Sequence, residues 1–320
     1  MISFLLTVAW LACAPDSSKG ILDDAIRLYG LGNYQKAVEA LSKESRQTSR
    51  AGDYSLWLGK SYFRLRRWDD AIREFERAVL IDSSNSTYHL WLGRAFGRKA
   101  EHSPFFLAVG PARRLLKEFE TAVRLSPGNV DAHFDLLEFY LSAPGLIGGG
   151  RDHARAEIRQ IGLIDTRLGY TAQARYYEAD KKYDLARDEL TRATTAFPDQ
   201  PGAYVDLADY FFRRLDYTDA APVATKAVEM GRPPDHKAEL IQLASWVRLG
   251  KNLSQAEEGL VTLSRGPLDD DDPSFEDVYY WLGQSHLVLG KREEARMAFN
   301  MALRYNPDNA RAKAALEMLR

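Results

Sequence analysis

The chain has 320 residues, of which 45% are hydrophobic and 28% are charged, and its formal net charge at pH 7 is -2. This composition supplies enough apolar material for a folded core and excludes a largely disordered chain. The slightly negative charge offers no general attraction to phosphate backbones, so we expect no nucleic-acid partner. The single cysteine, Cys13, excludes an intramolecular disulfide and leaves no second thiol for a zinc or redox pair.

The chain begins with an apolar leader that ends at Cys13. Residues 2–12 are almost entirely apolar, and the polar residues 16–19 follow the cysteine. The leader is too short to span a bilayer as a mature helix, but it fits the apolar part of an export signal. Leu11-Ala12-Cys13 resembles a truncated bacterial lipobox, and this resemblance implies that Cys13 carries lipid.

A second interpretation of the leader remains open. No Lys or Arg precedes the apolar stretch, so these residues could instead form a first helix packed under the fold, with Cys13 buried as a small hydrophobic residue. Ordinary cleavage after Ala14 is less consistent with the sequence, because Pro15 would follow the cut. We expect residues 1–17 to be the leader and a short linker, and residues 18–320 to be the folded part.

Identical residues recur at one spacing in the folded part. Five pairs are separated by 34 residues: Gly59 and Gly93, Ala174 and Ala208, Tyr183 and Tyr217, Ala186 and Ala220, and Ala193 and Ala227. A fixed period of this length indicates a stack of short helical hairpins, each of which buries its apolar face against the next.

Two segments carry the repeat most clearly. Residues 276–309 contain, in order, Trp281, Leu282, Gly283, Gly290, Ala295, Phe299, Ala302 and Pro307. Residues 52–85 contain Trp57, Leu58, Gly59, Tyr62, Trp68, Ala71, Phe75 and Ala78. Both resemble the tetratricopeptide (TPR) consensus, and the chain is similar to bacterial TPR proteins. The resemblance implies an all-α superhelical solenoid.

With these two segments as the register, the sequence predicts about eight helical hairpins. The predicted units are 18–51, 52–85, 86–129, 130–166, 167–200, 201–234, 235–275 and 276–309. Residues 310–320 have the pattern of one amphipathic helix, which we expect to cap the exposed apolar face of the last hairpin. Small residues such as Gly59 and Ala71 are expected where helices approach closely.

Three segments depart from the repeat. Residues 97–111 are an insertion, as a loop or a lengthened hairpin, and its apolar residues 104–109 should form an exposed or partner-covered surface. Residues 143–150 contain a proline and several glycines, and we interpret them as a turn between helices rather than as a phosphate loop, because no GK[ST] ending follows. The acidic run Asp269–Asp272 is expected to be a solvated connection.

No catalytic or metal motif emerges from the sequence. The six histidines are scattered without HExxH or another metal spacing, and His89 and His133 fall at equivalent positions of first helices, where packing is the expected role. A nucleophile, a base and an orienting group cannot be identified together. We therefore expect no cofactor, no metal and no enzymatic activity.

In TPR proteins the first helices of successive hairpins line a concave groove that receives segments of partner proteins. The resemblance implies that the groove residues here are Leu56, Lys60, Phe63, Leu90, Arg94, Phe134, Glu138 and Arg175. The asparagine with which chaperone-binding TPR domains clamp a terminal carboxylate is replaced by Lys60, Arg94 and Gln284, which disfavours a chaperone adaptor.

Lys60 and Arg94 follow the glycines of adjacent hairpins, so we expect one exposed positive patch for an acidic partner segment. Reversing both charges should then weaken binding without loss of the fold; the alternative is that these basic residues only keep the surface soluble.

The expected function is a protein- or peptide-binding scaffold in the bacterial cell envelope, in contact with the membrane only through a lipid on Cys13. The alternatives are a cytoplasmic adaptor and an accessory subunit of an enzyme complex.

Overall fold

A computed structural model describes residues 17–42, 50–231 and 235–319, which form helices joined by turns and contain no strand. Within these residues there are seventeen α-helices. In chain order they are α1 Ser17–Gly30, α2 Tyr34–Ser42, α3 Ala51–Arg64, α4 Trp68–Ile81, α5 Ser86–Glu101, α6 Phe105–Leu125, α7 Val130–Ser142, α8 Arg151–Ile164, α9 Thr166–Ala179, α10 Tyr183–Ala196, α11 Pro201–Arg213, α12 Tyr217–Met230, α13 His236–Leu249, α14 Leu253–Arg265, α15 Phe275–Val288, α16 Arg292–Tyr305 and α17 Ala310–Met318.

The helices pack in consecutive pairs. Each odd-numbered helix from α1 to α15 packs against the next even-numbered helix, and each pair packs against the following pair. At the end of the stack, Ala312 and Ala315 of α17 join the core cluster of Phe299 and Ala302. The predicted all-α solenoid with a closing C-terminal helix is confirmed.

The glycines of the repeat mark the closest contacts within three hairpins. A Cβ added to Gly59, Gly93 or Gly283 would lie 2.5 Å from the ring of Phe75, Phe119 or Phe299, respectively. Phe75 and Phe299 are fully buried. A side chain at any of these glycines would therefore force a large ring out of its packing position.

Polar residues in the connections determine where the first helices begin. Five of these helices start with a side chain that accepts a hydrogen bond from a backbone N–H of the first turn: Asn85, Asn129, Asp165, Asp235 and Ser274. Each such cap stabilises its helix by roughly 1 kcal/mol. The structure therefore explains why the short polar connections recur with the repeat.

The two insertions take different forms. The first lengthens a hairpin, since α5 has 16 residues and α6 has 21. At the start of α6 the exposed fractions of Phe106 and Leu107 are 76% and 57%. The expected exposed apolar surface is therefore present.

The second insertion is a turn that contains a short 3-10 helix, Gly145–Ile147. The N–H groups of Gly148, Gly149 and Gly150 donate to carbonyl oxygens of Gly145, Pro144 and Tyr140, at 3.0 to 3.2 Å. Gly149 has no room for a side chain, since an added Cβ would overlap the carbonyl oxygen of Ala143. Because all three amides are used inside the chain, the structure supports the turn interpretation.

The first hairpin touches the last. A Cβ on Gly32 would lie 2.9 Å from the ring of Phe275, and the rings of Tyr34 and Tyr305 meet edge to face with centroids 6.1 Å apart. Tyr29 and Tyr34 belong to the same core cluster as Phe275. The solenoid therefore closes on itself, and this closure brings the connection between α14 and α15 against α3.

Candidate partner-binding groove

A charged cavity lies against α3, α5 and α7, which we call the upstream half of the groove. Its volume is about 520 Å³. Phe63, Arg94 and Glu138, three of the predicted groove residues, line it. Its remaining wall includes Asp270 and Asp271. These two residues belong to residues 266–274, the segment between α14 and α15 that we call the acidic connection.

Lys60 lies beside this cavity and is almost completely buried, with 5% of its surface exposed. Its ammonium group forms an ion pair with the carboxylate of Asp270. The same nitrogen lies 3.9 Å from the ring centroid of Trp57, 4.8 Å from that of Trp91 and 5.4 Å from that of Tyr29. Burial lowers the pKa of Lys60, against the opposing effect of Asp270. The aromatic faces and the carboxylate together compensate the buried charge.

Two further donors reach the same carboxylate. The hydroxyl of Tyr29 donates to Asp270 Oδ1 at 2.7 Å, and its oxygen accepts from Arg64 Nε at 2.9 Å. The guanidinium group of Arg64 also lies 3.6 Å from Asp270 and donates to the backbone carbonyl of Asp269 at 3.2 Å. Burial raises the pKa of Tyr29 well above its usual value, so its hydroxyl stays protonated and acts as a donor.

The acidic connection is also attached by its backbone and by one apolar side chain. The N–H of Leu268 donates to the carbonyl oxygen of Gly30 at 2.7 Å. Leu268 itself is buried in the core cluster that contains Tyr29 and Phe275. The base of the connection is therefore anchored by contacts that do not involve the Asp270 carboxylate.

Two sequence predictions are wrong at this point. Lys60 was expected to be exposed, whereas it is buried and paired, because closure of the solenoid brings Asp270 over α3. The acidic run was expected to be solvated; Asp269 and Asp271 are exposed, but the prediction is wrong for Asp270 and Asp272, whose side chains are only 24% and 19% exposed. Charge reversal at Lys60 is thus not a surface change, and we expect it to disturb the fold.

Arg94 also forms an ion pair, but its partner, Asp135, lies in the next hairpin along the chain. Its Nε donates to Asp135 Oδ2 at 2.6 Å, and its guanidinium group lies 5.2 Å from the ring centroid of Trp91. Burial raises the pKa of Asp135, although Arg94 opposes this effect. Arg94 therefore presents a partly neutralised charge to the cavity, while Arg98 adds a half-exposed one whose partner is Glu101.

The remaining predicted groove residues separate into two groups. Leu56, Leu90 and Phe134 pack in the hydrophobic clusters between hairpins, with Leu90 fully within the core. Arg175 lies in a different part of the groove, between α9 and α11, and its closest contact with Glu138 is 3.9 Å. The structure thus brings Phe63, Arg94 and Glu138 together with Lys60 nearby.

The downstream half of the groove, formed by α9, α11 and α13, is a network of charges between neighbouring repeats. Asp209 accepts from Arg213 at 2.9 Å and from Arg175 at 3.5 Å, and Lys237 lies 3.3 Å from it. Burial would raise the pKa of Asp209, but Lys237 and the two arginines outweigh it and hold the pKa below its usual value. This half of the groove is therefore neutralised by its own residues.

Sequence reasoning missed Tyr29, Arg64 and Asp270. A run of four aspartates in a connection was visible, but nothing in its spacing indicates contact with a helix two hundred residues earlier. Arg64 lies one turn after Lys60 on α3, on the same helix face, and this i, i+4 spacing was the available signal.

The two histidines at equivalent positions form equivalent contacts. Nδ1 of His89 lies 2.7 Å from Glu118, and its Nε2 lies 3.1 Å from the carbonyl oxygen of Ser83. His133 repeats this arrangement with Glu157 at 2.6 Å and the carbonyl oxygen of Pro127 at 3.0 Å. The hydrogen bond to Glu157 raises the pKa of His133 above its usual value. Both histidines therefore join helices within a repeat, in agreement with the expected packing role.

These features define an α-helical repeat protein with a charged concave groove. A tetratricopeptide repeat profile matches residues 22–87, 58–99 and 171–235, and a second profile with the same description matches residues 276–309, together more than half of the chain. The chain belongs to the tetratricopeptide repeat family, whose members are in general non-catalytic scaffolds. No curated protein sequence matches the chain significantly.

Several solved structures are similar to this chain. Yeast Tom70 is 14% identical with a TM-score of 0.50, and the match covers 97% of this chain and 82% of that protein. TTC0263 of Thermus thermophilus is 19% identical with a TM-score of 0.48, over 61% of this chain and 98% of that protein. YrrB, described as a TPR protein with an unusual peptide-binding site, is 16% identical with a TM-score of 0.38, over 76% of this chain and 97% of that protein. At these identities the similarity concerns the fold alone.

Cys13 lies outside the described residues. In the ranges that the structure describes, no helix has both the length and the apolar character required to cross a bilayer. Within the same ranges, His, Cys, Asp and Glu side chains form no group of three or more that could hold a metal ion.

Proposed function

We propose that this chain is a non-catalytic scaffold that holds an extended segment of a partner protein in the upstream half of the groove. The lining of the 520 Å³ cavity is the observation that carries the proposal. Guanidinium groups and aromatic rings both line it, namely Phe63, Arg64, Trp91, Arg94, Arg98 and Phe139, together with the carboxylates of Glu101, Asp135, Glu138, Asp270 and Asp271. A cavity of this size accommodates a few side chains, and Arg with aromatic residues is the combination most enriched where partner proteins bind tightly.

The downstream half is a weaker candidate for the same role. Its central carboxylate, Asp209, already has three cationic neighbours. These three neighbours lie on the stacked helices α9, α11 and α13, so a partner charge there would compete with contacts that join the helices themselves. Arg98, by contrast, lines the cavity, and its ion-pair partner is the half-exposed Glu101, one turn along the same helix.

A selection experiment tests the proposal. Peptides selected for binding to the full chain from a random displayed library should bind the Arg94→Gln, Arg98→Gln double variant about tenfold more weakly, because two charges facing the cavity are removed. The matched control is Arg192→Gln. Arg192 also pairs with a glutamate one turn away, but it lies on α10, the second helix of its hairpin, and does not line the cavity. Equal affinity of the double variant and the wild type would contradict the proposal.

We also propose that the protein is exported and held at a membrane of the bacterial envelope by lipid on Cys13. The apolar leader followed by cysteine and polar residues supports this proposal. In a Gram-negative host fed labelled palmitate, the wild type should be labelled and Cys13→Ala should not. Equal labelling, or a mature protein that still begins at Met1, would instead favour a cytoplasmic adaptor or an accessory subunit of an enzyme complex.

A further inference from the structure

One carboxylate of the acidic connection occupies a site that is built for a carboxylate. Lys60, Arg64 and the hydroxyl of Tyr29 converge on Asp270. Lys60 and Arg64 are held on one face of α3, and Tyr29 lies on α1, so regular helices position all three donors. Aromatic rings on three sides of Lys60 restrict its ammonium group to this place. We call Tyr29, Lys60 and Arg64 the carboxylate site.

Asp270, the residue that occupies the carboxylate site, lies in a segment that can be displaced from it. It lies in a connection without helix between α14 and α15, and its neighbours Asp269 and Asp271 are exposed. Burial raises the pKa of Asp271, and the adjacent carboxylates of Asp131, Asp269 and Asp270 raise it further. Like charges so close together repel one another, and this repulsion favours release of the connection from the groove.

The carboxylate site borders the cavity assigned to the partner. Arg64 lines that cavity together with Arg94 and Arg98, and Asp270 and Asp271 form part of its wall. Arg94 and Arg98 are paired with Asp135 and Glu101, whereas Lys60 and Arg64 are paired with Asp270 of the connection. If the connection left, Lys60 and Arg64 would lack a carboxylate partner, and the charge that complements them is negative. The connection that now lies against them carries four consecutive aspartates.

We infer that the carboxylate site recognises an acidic segment of the partner, and that the acidic connection is an internal occupant which this segment displaces. The inference rests on the proposed function, because it names the chemistry of the segment that the same groove receives. Only molecules in which the connection has left the site are competent, so the internal occupant lowers the apparent affinity by the competent fraction.

Removal of the Asp270 carboxylate tests recognition by the carboxylate site without removing the contacts that anchor the acidic connection. In Asp270→Asn, the contacts of Leu268 with Gly30 and with the core still hold the base of the connection. The carboxylate site then keeps its three donors and loses its ionic occupant. Asp269→Asn is the matched control, because the Asp269 side chain is exposed and an amide oxygen can still accept from the N–H of Asp271.

The probe is a synthetic peptide with the sequence of residues 266–274, titrated calorimetrically into the full chain. The peptide should bind Asp270→Asn about tenfold or more tightly than it binds the wild type or Asp269→Asn. The double variant Lys60→Met, Asp270→Asn should lose this gain, since the buried charge that recognises the carboxylate is absent. Binding to Asp270→Asn that is no tighter than to the wild type overturns the inference.

A second measurement uses the wild type alone and does not depend on how well a variant folds. Excess peptide should accelerate hydrogen exchange at the amide of Asp269, which donates to the carboxylate of Asp272 while the connection is in place. Unchanged exchange at saturating peptide would show a permanent structural contact and would overturn the inference. If library-selected peptides still require Arg94 and Arg98 in that case, the proposed function stands and only this inference fails.

Discussion

The upstream and downstream halves of the groove neutralise their buried charges in different ways. In the downstream half, Arg175 pairs with Asp209, which lies 34 residues later, one repeat along the chain. In the upstream half, Lys60 pairs with Asp270, 210 residues away, and only because the solenoid closes on itself. Contacts one repeat apart follow from the period, whereas the Lys60 contact depends on the overall curvature of the stack.

Other ion pairs follow the downstream pattern. Lys291 pairs with Glu257 and Arg311 with Asp277, each across 34 residues. An aligned repeat places such residues at the same position of neighbouring hairpins, side by side. The 34-residue period therefore predicts contacts between neighbouring hairpins and gives no information about contacts between the two ends of the stack.

The largest effect is expected where the repeat alone determines the packing. Phe75→Ala and Phe299→Ala each remove a fully buried ring that packs on the glycine of its own hairpin, so each should lower the free energy of unfolding by about 3 to 5 kcal/mol. Urea denaturation followed by circular dichroism measures both. If one variant costs less than about 1 kcal/mol and the other more than 3, the two units are not equivalent.

A pair of double-mutant cycles compares the two halves directly. For Lys60→Met with Asp270→Asn, we expect a coupling free energy of about 1.5 to 3 kcal/mol, because the pair is largely buried and each partner leaves the other uncompensated. For Arg175→Met with Asp209→Asn, we expect less than about 0.5 kcal/mol, because Asp209 keeps Arg213 and Lys237. Equal coupling in both halves would remove the distinction between them.

The contact of His133 with Glu157, within one hairpin, should make the stability of the fold depend on pH. The pKa of His133 is raised above 6.5 by Glu157, so the protonated ring stabilises the fold. This stability is fully present below the unfolded-state pKa and is lost as pH rises through the folded-state pKa. The advantage of the wild type over His133→Gln in thermal melting should therefore shrink as pH rises from 5.5 to about 8.

His286 is the control for this prediction, because its pKa is shifted in the opposite direction. Burial lowers its pKa below 6.5, so its neutral form is favoured in the fold, and its contribution should be lost as pH falls. The same melting series on His286→Gln should show a slope of the opposite sign. Parallel slopes for the two variants would contradict the assigned charge states.

The smallest effect is expected outside the repeat, at the exposed start of α6. Phe106→Ser and Leu107→Ser should change the free energy of unfolding by no more than about 0.5 kcal/mol, since both side chains already face solvent. Hydrogen exchange should be faster at the amides of this segment than at Phe119, which is buried in the same helix. Protection equal to that of Phe119 would show that the segment is part of the core.

The helical hairpins and their local packing could be predicted from the sequence alone. The repeat predicted that Gly59 lies where helices approach closely, and the structure places it against Phe75, and Gly283 against Phe299, each within one hairpin. The equivalent positions of His89 and His133 likewise predicted a shared packing role, and the prolines and glycines of residues 143–150 predicted a turn. In each case the interacting residues lie within one unit, so their geometry is set by local helix structure.

Which groove charges are free could not be predicted from the sequence, because it depends on how the whole stack closes. The burial of Lys60 depends on a small angle between neighbouring hairpins that accumulates over the whole stack until the first hairpin meets the last. No single residue encodes that angle, because every interface in the stack contributes to it. The acidic run therefore appeared to be a solvated connection in the sequence, whereas the closed solenoid places Asp270 between Tyr29, Lys60 and Arg64.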